Sequence, residues 1–192
     1  MTAAGLPAIA TFALGLFLFA VAAVVARWRP TKEVGGRRDR ASMLGIAVQA
    51  AAFVAAAAGG ARVTLDPLGT AALVQAAATA MLMAASLALF VWSTATMGRN
   101  WSLVARTRAD HDLVTTGPFR WMRHPIYTGI GLMVIAAAIA MGHGPRLLLA
   151  LPVYALGTWL RVRVEERLLR AMFAAEYDDY AARVKRFVPG MI

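Results

Sequence analysis

Residues 117–131, GPFRWMRHPIYTGIG, hold the side chains of this sequence that are best suited to recognising a ligand. Pro125 disfavours helical backbone at the preceding His124 and is well placed to open a helix, so the chain turns here. The N-terminus of that helix favours an anion, and Arg123 beside it has a guanidinium suited to a carboxylate or phosphate. Arg120 lies three residues earlier and fits an interfacial anchor equally well. The stretch therefore predicts an anion-recognising site at the mouth of a helix.

Two adjacent glutamates farther along the chain, Glu165 and Glu166, offer the opposite charge. Each has an arginine four residues away, Arg161 before the first and Arg170 after the second. Such pairs on a helix surface contribute only about 0.2–0.5 kcal/mol, and surface ion pairs are one interpretation. The other interpretation is functional, because a carboxylate near the membrane surface can hold an ammonium or lie near a sulfonium. The sequence leaves both interpretations open.

Smaller signals come from residues around these charges. Gly129 and Gly131 fall in the first turns of the helix that Pro125 opens, where small residues usually serve packing between membrane helices. The alternative is a ligand that approaches the backbone closely. His111 stands in the polar connector, and an isolated histidine is more often structural than catalytic. No metal site is expected, because the sequence has three scattered histidines and no cysteine.

The composition indicates an integral membrane protein. The 192 residues are 60% apolar with a mean hydropathy of +0.62, whereas about 45–50% apolar is typical of soluble domains. The net charge of +10 is compatible with nucleic acid, but the basic residues stand in short runs between apolar segments, so no nucleic-acid partner is expected. The absence of cysteine excludes disulfides and thiolate catalysis. No GxGxxG follows a strand pattern, which argues against a dinucleotide site of the Rossmann type.

Five apolar segments predict an all-α fold with about five transmembrane helices. They cover residues 5–26, 41–59, 68–97, 127–141 and 147–160. The last two are short for independent spans, so we expect a paired helical hairpin packed against the others, with GHGP as its tight turn. From residue 161 the pattern becomes amphipathic, and we expect this helix to leave the membrane. A second short helix is predicted around residues 176–184.

The distribution of Lys and Arg predicts the orientation in the membrane. Segments 27–40, 98–126 and 161–192 carry six, five and seven of these residues, which is 18 of the 20. The positive-inside rule places these segments in the cytoplasm, with the N-terminus outside and the C-terminus inside. The connector and the C-terminal segment would then share the cytosolic face and enclose a site there. Richness in Ala and Arg with little Lys suggests a high-GC bacterial source, and hence the bacterial inner membrane.

Four segments, MGRNWS, HDLVTTGPFRWMRHPIYTG, VEERLL and EYDDYAARVKRFVPG, together resemble the isoprenylcysteine carboxyl methyltransferase family. The resemblance covers about residues 97–190 and combines RHPxYxG, an acidic pair and a Y-x-x-Y…R-x-x-P tail. Phospholipid N-methyltransferases and some sterol reductases carry segments similar to RHPxYxG. Residues 1–96 match only in being helical spans. We therefore divide the chain into a transmembrane housing, 1–96, and a catalytic half, 97–192.

The resemblance implies a methyltransferase that binds S-adenosylmethionine on the cytosolic side. By this resemblance the residues of the cofactor site would be His111, Leu113, Arg123, His124, Tyr127, Glu165 and Glu166. We add Gly129, where a ligand could approach the backbone closely. Arg123 and Glu166 would be the catalytic residues among them. The methyl acceptor is expected to be lipid-like or otherwise apolar, and to enter from the membrane with a carboxylate or other polar head. A carboxylate is already ionised near neutral pH, since its usual pKa is about 4, so the enzyme would need alignment and exclusion of water.

Three other functions are compatible with the sequence. A phospholipid N-methyltransferase would have to remove a proton from its amine, and Glu165 or His124 would be the candidate base. A sterol-type reductase would need room for NADPH, which the short C-terminal segment disfavours. A non-catalytic membrane protein would bind a lipid or a partner through the basic face. The oligomeric state is not predicted.

Overall fold

Five α-helices form the protein in this computed structural model, which describes residues 3–28, 40–98, 101 and 112–190. They are α1 Leu6–Arg27, α2 Arg40–Ala57, α3 Thr70–Met97, α4 Pro125–Ala140 and α5 Leu147–Arg183. Short 3₁₀ turns precede α4 at Gly117–Arg120 and α5 at Gly144–Arg146. The described residues contain two isolated β-bridges and no strand. The predicted all-α fold is confirmed.

The apolar helices make this an integral membrane protein. Three of them, α1, α3 and the helix that runs from Gly144 to Arg183, are long and apolar enough to cross a membrane. The helices α2 and α4 are apolar but shorter. The 16 residues of α4 extend about 24 Å, against about 30 Å for a hydrocarbon core. This short helix lies inside the bundle, where it contacts all four other helices.

Three pairs of helices form the main contacts of the bundle, α2 with α5, α3 with α4 and α1 with α3. Glycines permit the close approach of the first two pairs: a Cβ on Gly157 of α5 would lie 2.9 Å from the carbonyl oxygen of Gly45 in α2. A Cβ on Gly129 of α4 would lie 3.1 Å from the carbonyl oxygen of Ser86 in α3. Small residues at such crossings are typical of membrane helices. Thus α2 and α3, in the N-terminal part of the chain, pack directly on α5 and α4 of the C-terminal part.

The last two helices follow the sequence prediction in part. Helix α5 continues past residue 160 to Arg183, as expected from the amphipathic pattern that begins at residue 161. The helix predicted around residues 176–184 is the final part of α5, after a break at Ala174. The expected pairing of α4 with α5 is wrong, since α4 packs mainly on α3 and α5 mainly on α2.

The connector and the C-terminal segment meet at one end of the bundle, where Met122 and Lys185 form a parallel β-bridge. At the opposite end, the segment before α1 bonds to the α2–α3 loop through Ala4 and Arg62. The turn before α5 reaches the end of α2 through the side chain of Arg146. The prediction that connector and tail share one end is confirmed. The side of the membrane that this end faces stays a prediction.

Cysteine labelling tests that orientation. The chain has no cysteine, so Thr64→Cys and Val188→Cys each introduce one thiol, at exposed positions on opposite ends of the bundle. Because the positive-inside rule puts the tail in the cytoplasm, we expect an impermeant maleimide to label Thr64→Cys in intact cells. It should label Val188→Cys only after permeabilisation. Labelling of both variants from one side would contradict the odd number of spans.

A second prediction concerns the break in α5. Among the described residues, Ala174 is the one non-glycine with a positive φ, at φ 44° and ψ −119°. A Cβ is strained in such a conformation and glycine is not. We expect Ala174→Gly to raise the stability by about 1 kcal/mol, measured as a higher Tm in detergent. Ala171→Gly, three residues earlier in regular helix, is the control and should lower the stability by about 1 kcal/mol. A lower Tm for both variants would show that residue 174 is helical.

Candidate functional site

A buried carboxylate lies at the centre of the polar end of the bundle. Glu166 of α5 is 2% exposed, and Arg186 of the tail binds it with two bonds, from Nε to Oε1 at 2.9 Å and from Nη2 to Oε2 at 2.7 Å. Arg123 Nη1 and His124 Nε2 lie 3.3 Å and 3.4 Å from the same Oε1. Arg170, one turn along α5, lies 3.9 Å from Oε2. Both oxygens of Glu166 are therefore engaged by cationic or donor groups.

The tail is fixed to the start of α4 by main-chain bonds as well. The amide of Arg123 donates to the carbonyl of Lys185 at 2.8 Å, and the amide of His124 donates to the carbonyl of Arg186 at 2.9 Å. Amides at a helix N-terminus have no partner within their helix. The tail therefore provides the carbonyl acceptors for the two amides just before α4, those of Arg123 and His124. The side chain of Thr128 adds a bond to the carbonyl of Phe187 at 3.0 Å. The tail therefore forms one wall of the site.

Charge pairing also shows in the acid–base properties of the tail. The hydrogen bonds from Arg186 to Glu166 raise the pKa of this guanidinium above its already high ordinary value. Arg186 is therefore a permanent cation, and its side chain is about half exposed. The carboxylate it binds is almost fully buried, so Arg186 extends from the solvent-exposed surface to a buried partner.

The neighbouring Glu165 has a different environment. The hydroxyl of Tyr127 donates to its Oε1, and His124 Nδ1 lies 3.6 Å from its Oε2. Arg161, one turn earlier on α5, lies 3.9 Å from Oε1. The side chain of Glu165 is 24% exposed, so this carboxylate is held on one side and open on the other. Its open side can accept bonds from a ligand.

Arg123 also has capacity for a ligand. Its side chain is 8% exposed, and it contacts Glu166 and, at 3.4 Å, the hydroxyl of Tyr177. Its Nε is buried and has no hydrogen-bond partner among the described residues. A buried donor without a partner is costly. The structure thus offers one unbonded guanidinium N–H donor on Arg123, which contacts Glu166, and one partly open carboxylate on the adjacent residue, Glu165.

The structure brings five of the residues singled out from the sequence into this cluster: Arg123, His124, Tyr127, Glu165 and Glu166. For Glu166, the interpretation as a surface ion pair with Arg170 is wrong, because the carboxylate is buried. Leu113 is partly buried in the segment that leads to the 3₁₀ turn, and His111 lies outside the described residues.

The two glycines of α4 face other helices. Gly129 faces the backbone of Ser86 in α3, and a Cβ on Gly131 would lie 3.1 Å from the ring of Tyr154 in α5. These contacts favour the packing interpretation for both. A ligand-binding role for Gly129 stays a prediction that its position against α3 does not support.

Sequence reasoning missed two residues of the cluster and its surroundings, namely Arg186 and Gln49, whereas the expected approach of Arg161 to Glu165 is confirmed. Arg186 could have been found, since it is the arginine of the R-x-x-P tail. Gln49 stood out as a polar residue in an alanine-rich helix. Among the described residues, no three of His, Asp and Glu lie close enough to hold a metal ion together.

Comparison with known proteins places this site in a family. A sequence profile described as phospholipid methyltransferase matches residues 74–176, more than half of the chain. Protein-S-isoprenylcysteine O-methyltransferase of Saccharomyces cerevisiae is 33% identical over 100 residues, 49% of this chain and 40% of that protein. The nickel-cobalt-cadmium resistance protein NccN of Alcaligenes xylosoxydans xylosoxydans is 38% identical over 103 residues, 50% of this chain and 45% of that protein. The chain spans less than half the length of these curated relatives.

A solved structure shares the fold. The eukaryotic intramembrane Ras methyltransferase, isoprenylcysteine carboxyl methyltransferase, superposes with a TM-score of 0.55 and 19% sequence identity. The superposition covers 96% of this chain and 68% of that one. Fold and site together define a helical membrane protein whose polar site lies at one end of the bundle. The chain belongs to the phospholipid methyltransferase family, and the resemblance to isoprenylcysteine carboxyl methyltransferases inferred from its motifs is confirmed.

The charge cluster makes a prediction that needs no ligand. Glu166→Gln keeps the shape of the side chain and removes the charge that Arg123 and Arg186 face. Loss of one partner from a buried ion pair typically costs about 3–5 kcal/mol, and since Arg186 is half exposed we expect about 2 kcal/mol, measured as a lower Tm in detergent. Glu176→Gln, exposed on the same helix, is the control and should leave the Tm unchanged. Equal Tm values for the two variants would contradict the buried cluster.

Proposed function

We propose that this protein is a membrane methyltransferase that uses S-adenosylmethionine and modifies the polar head of an apolar acceptor held in the bilayer. The observation that carries the proposal is that one cluster at the end of a membrane bundle holds both an unbonded guanidinium donor, on Arg123, and a partly open carboxylate, on Glu165. Membership of the family supports the same reaction class. The proposal includes a bacterial inner-membrane location with the site facing the cytoplasm, where this cofactor is made.

The donors and acceptors of the site fit that cofactor. S-adenosylmethionine carries a carboxylate, an ammonium, two ribose hydroxyls and a sulfonium. The free Nε of Arg123 suits the carboxylate, because charge-assisted bonds to guanidinium are short and strong. The open side of Glu165 suits the ammonium or the ribose hydroxyls. The hydroxyl of Tyr127 bonds to Glu165 and holds that carboxylate in place for the ligand.

Within this proposal the two glutamates have different tasks. Glu166 has both oxygens engaged by Arg186, Arg123 and His124, so it positions these groups and does not need to touch the ligand. Glu165 retains exposed surface and is the carboxylate that meets the ligand. His124 lies between them with one ring nitrogen toward each carboxylate, which fixes the ring orientation.

The chemistry requires alignment more than proton transfer. When bound, S-adenosylmethionine would supply a methyl group attached to a sulfonium. The nucleophile attacks this methyl carbon in line with the carbon–sulfur bond, and the sulfur leaves as a neutral thioether. Arg123 and Glu165 would hold the reactants at the correct angle and distance, which accounts for much of catalysis when two reactants must meet. The tail wall formed by residues 185–187 would exclude water from the site. A carboxylate acceptor arrives ionised and needs no base.

The depth of the site in the membrane supports an acceptor from the bilayer. Trp159 of α5 is half exposed, and the guanidinium of Arg163 stacks on its ring at 4.5 Å. Tryptophan and arginine together are typical of the interface between hydrocarbon and headgroups. Glu165 lies six residues after Trp159, about 9 Å farther along the helix. The polar head of an acceptor can therefore reach the site while its apolar tail stays in lipid.

A phospholipid amine is the second candidate acceptor, favoured by the description of the family profile. An amine must lose a proton, and Glu165 would be the base. Methyl transfer measured on carboxylate and amine acceptors of equal chain length separates the two candidates. A rate that rises with chain length supports an acceptor held in the bilayer, since each buried methylene contributes about 0.8 kcal/mol. A rate that is independent of chain length contradicts it.

Arg123 gives the sharpest test of the cofactor. We expect Arg123→Ala to weaken binding of S-adenosylhomocysteine at least tenfold, which is about 1.4 kcal/mol, because a charge-assisted bond is lost. Arg120→Ala is the matched control, since Arg120 is exposed and three residues away, and it should bind like the wild type. The measurement is isothermal calorimetry in detergent.

The same ligand distinguishes the proposal from its rivals. A thermal shift of the wild-type protein with S-adenosylhomocysteine and none with NADPH is the expected result. A shift with NADPH alone would support a reductase instead. A protein that responds to neither ligand, with Arg123→Ala and Arg120→Ala indistinguishable from the wild type, would contradict the methyltransferase.

A further inference from the structure

A polar residue of helix α2 reaches across the bundle toward the site. Gln49 is 6% exposed and stands in an alanine-rich helix. Its Nε2 donates to Oγ1 of Thr158 on α5 at 2.8 Å, and its Oε1 accepts from Nη1 of Arg161 at 3.4 Å. Gln49 lies outside residues 74–176, the part of the chain that matches the family profile.

Arg161 connects this glutamine to the site. It is 7% exposed, and its guanidinium lies 5.1 Å from the centre of the Tyr127 ring. Its Nη2 is 3.9 Å from Oε1 of Glu165, which is the same oxygen that receives the hydroxyl bond of Tyr127. Arginine and tyrosine thus approach one carboxylate oxygen from two sides.

The backbone around Gln49 leaves its side chain little freedom. A Cβ on Gly157 would lie 2.8 Å from the amide nitrogen of Gln49, so α2 and α5 are in close contact at this level. A buried amide must find hydrogen-bond partners, and here Thr158 and Arg161 provide them. The bond to Thr158 orients the amide, and the orientation presents the amide oxygen to Arg161.

We infer that Gln49 is a positioning residue of the site, acting through Arg161 on the Tyr127–Glu165 pair. The inference deepens the proposed function and rests on it for its effect on catalysis. By holding one arm of the guanidinium, Gln49 keeps Arg161 at 3.9 Å from Glu165 and so leaves Oε1 to Tyr127. Without Gln49, the buried guanidinium loses this bond on the α2 side and would move toward Oε1 of Glu165. Glu165 would then be less able to bind the ligand.

A double-mutant cycle tests this chain of contacts. Gln49→Met removes both polar atoms with little change in volume, and we expect methyl-transfer turnover to fall about tenfold or more, as a small displacement of a catalytic group can produce. In an Arg161→Met background the same substitution should cause little further loss of turnover, because the effect of Gln49 on the Tyr127–Glu165 pair passes through Arg161. Ser42→Ala is the control. Ser42 is a buried polar residue on the same helix whose hydroxyl has no hydrogen-bond partner in the described chain, and its loss should leave turnover unchanged.

The Tm of the same variants in detergent provides a readout that does not require activity. Gln49→Met should lower the Tm of the wild type, because Arg161 loses a buried partner. It should lower the Tm of Arg161→Met by less, because there only the bond to Thr158 remains to be lost. Equal losses of Tm or of turnover in both backgrounds would overturn the inference, as would wild-type turnover and Tm in Gln49→Met. If the wild type has no methyltransferase activity, the proposed function fails while the cycle in Tm still decides the role of Gln49.

Discussion

The burial of one charged carboxylate, on Glu166, constrains the polar end of this protein more than any other interaction. A buried anion is costly unless several partners compensate it, and no single element here supplies them. Arg123 comes from the start of α4, Arg170 from α5 and Arg186 from the tail. The carboxylate is stable only when these three parts of the chain are together. The charge of Glu166 is therefore compensated only when the site is assembled.

This constraint accounts for the course of the chain after the membrane. Twenty residues separate Glu166 from Arg186, and a straight helix of that length would carry Arg186 about 30 Å away. The break at Ala174 lets the chain reverse and return. The tail then lies beside the start of α4, where its carbonyls accept the amides of Arg123 and His124. Pro125 contributes by keeping His124 out of helical backbone, at φ −128° and ψ 57°, so that its amide points to the tail.

Part of this arrangement could be predicted from the sequence. The apolar segments predicted four of the five helices closely, because long apolar runs in a membrane protein have few alternatives to a helix. The start of α4 followed from Pro125, and the shared end of connector and tail followed from the charge distribution. The RHPxYxG element and the two glutamates were singled out because few other polar residues stand near apolar helices, and the structure brings them together in one cluster.

The remaining features depend on contacts between residues far apart in the sequence, which a local sequence pattern does not reveal. The break in α5 falls on an alanine, Ala174, which carries no signal for positive φ. The burial of Glu166 requires Arg186, which reaches it only after that break. Gln49 and Arg161 are 112 residues apart, and their contact follows from the packing of two glycines. Gly129 was assigned to the ligand although its contacts are with α3.

The role of Glu166 and the tail in organising the site is tested most directly by measuring the affinity of Arg186→Ala for S-adenosylhomocysteine with isothermal calorimetry. This residue is not proposed to touch the ligand, so its effect on affinity reports whether Glu166 and the tail organise the site. The account predicts at least a tenfold loss of affinity, about 1.4 kcal/mol, in Arg186→Ala. It predicts wild-type affinity in Arg183→Ala, an exposed arginine just before the tail. Wild-type affinity in Arg186→Ala would contradict it.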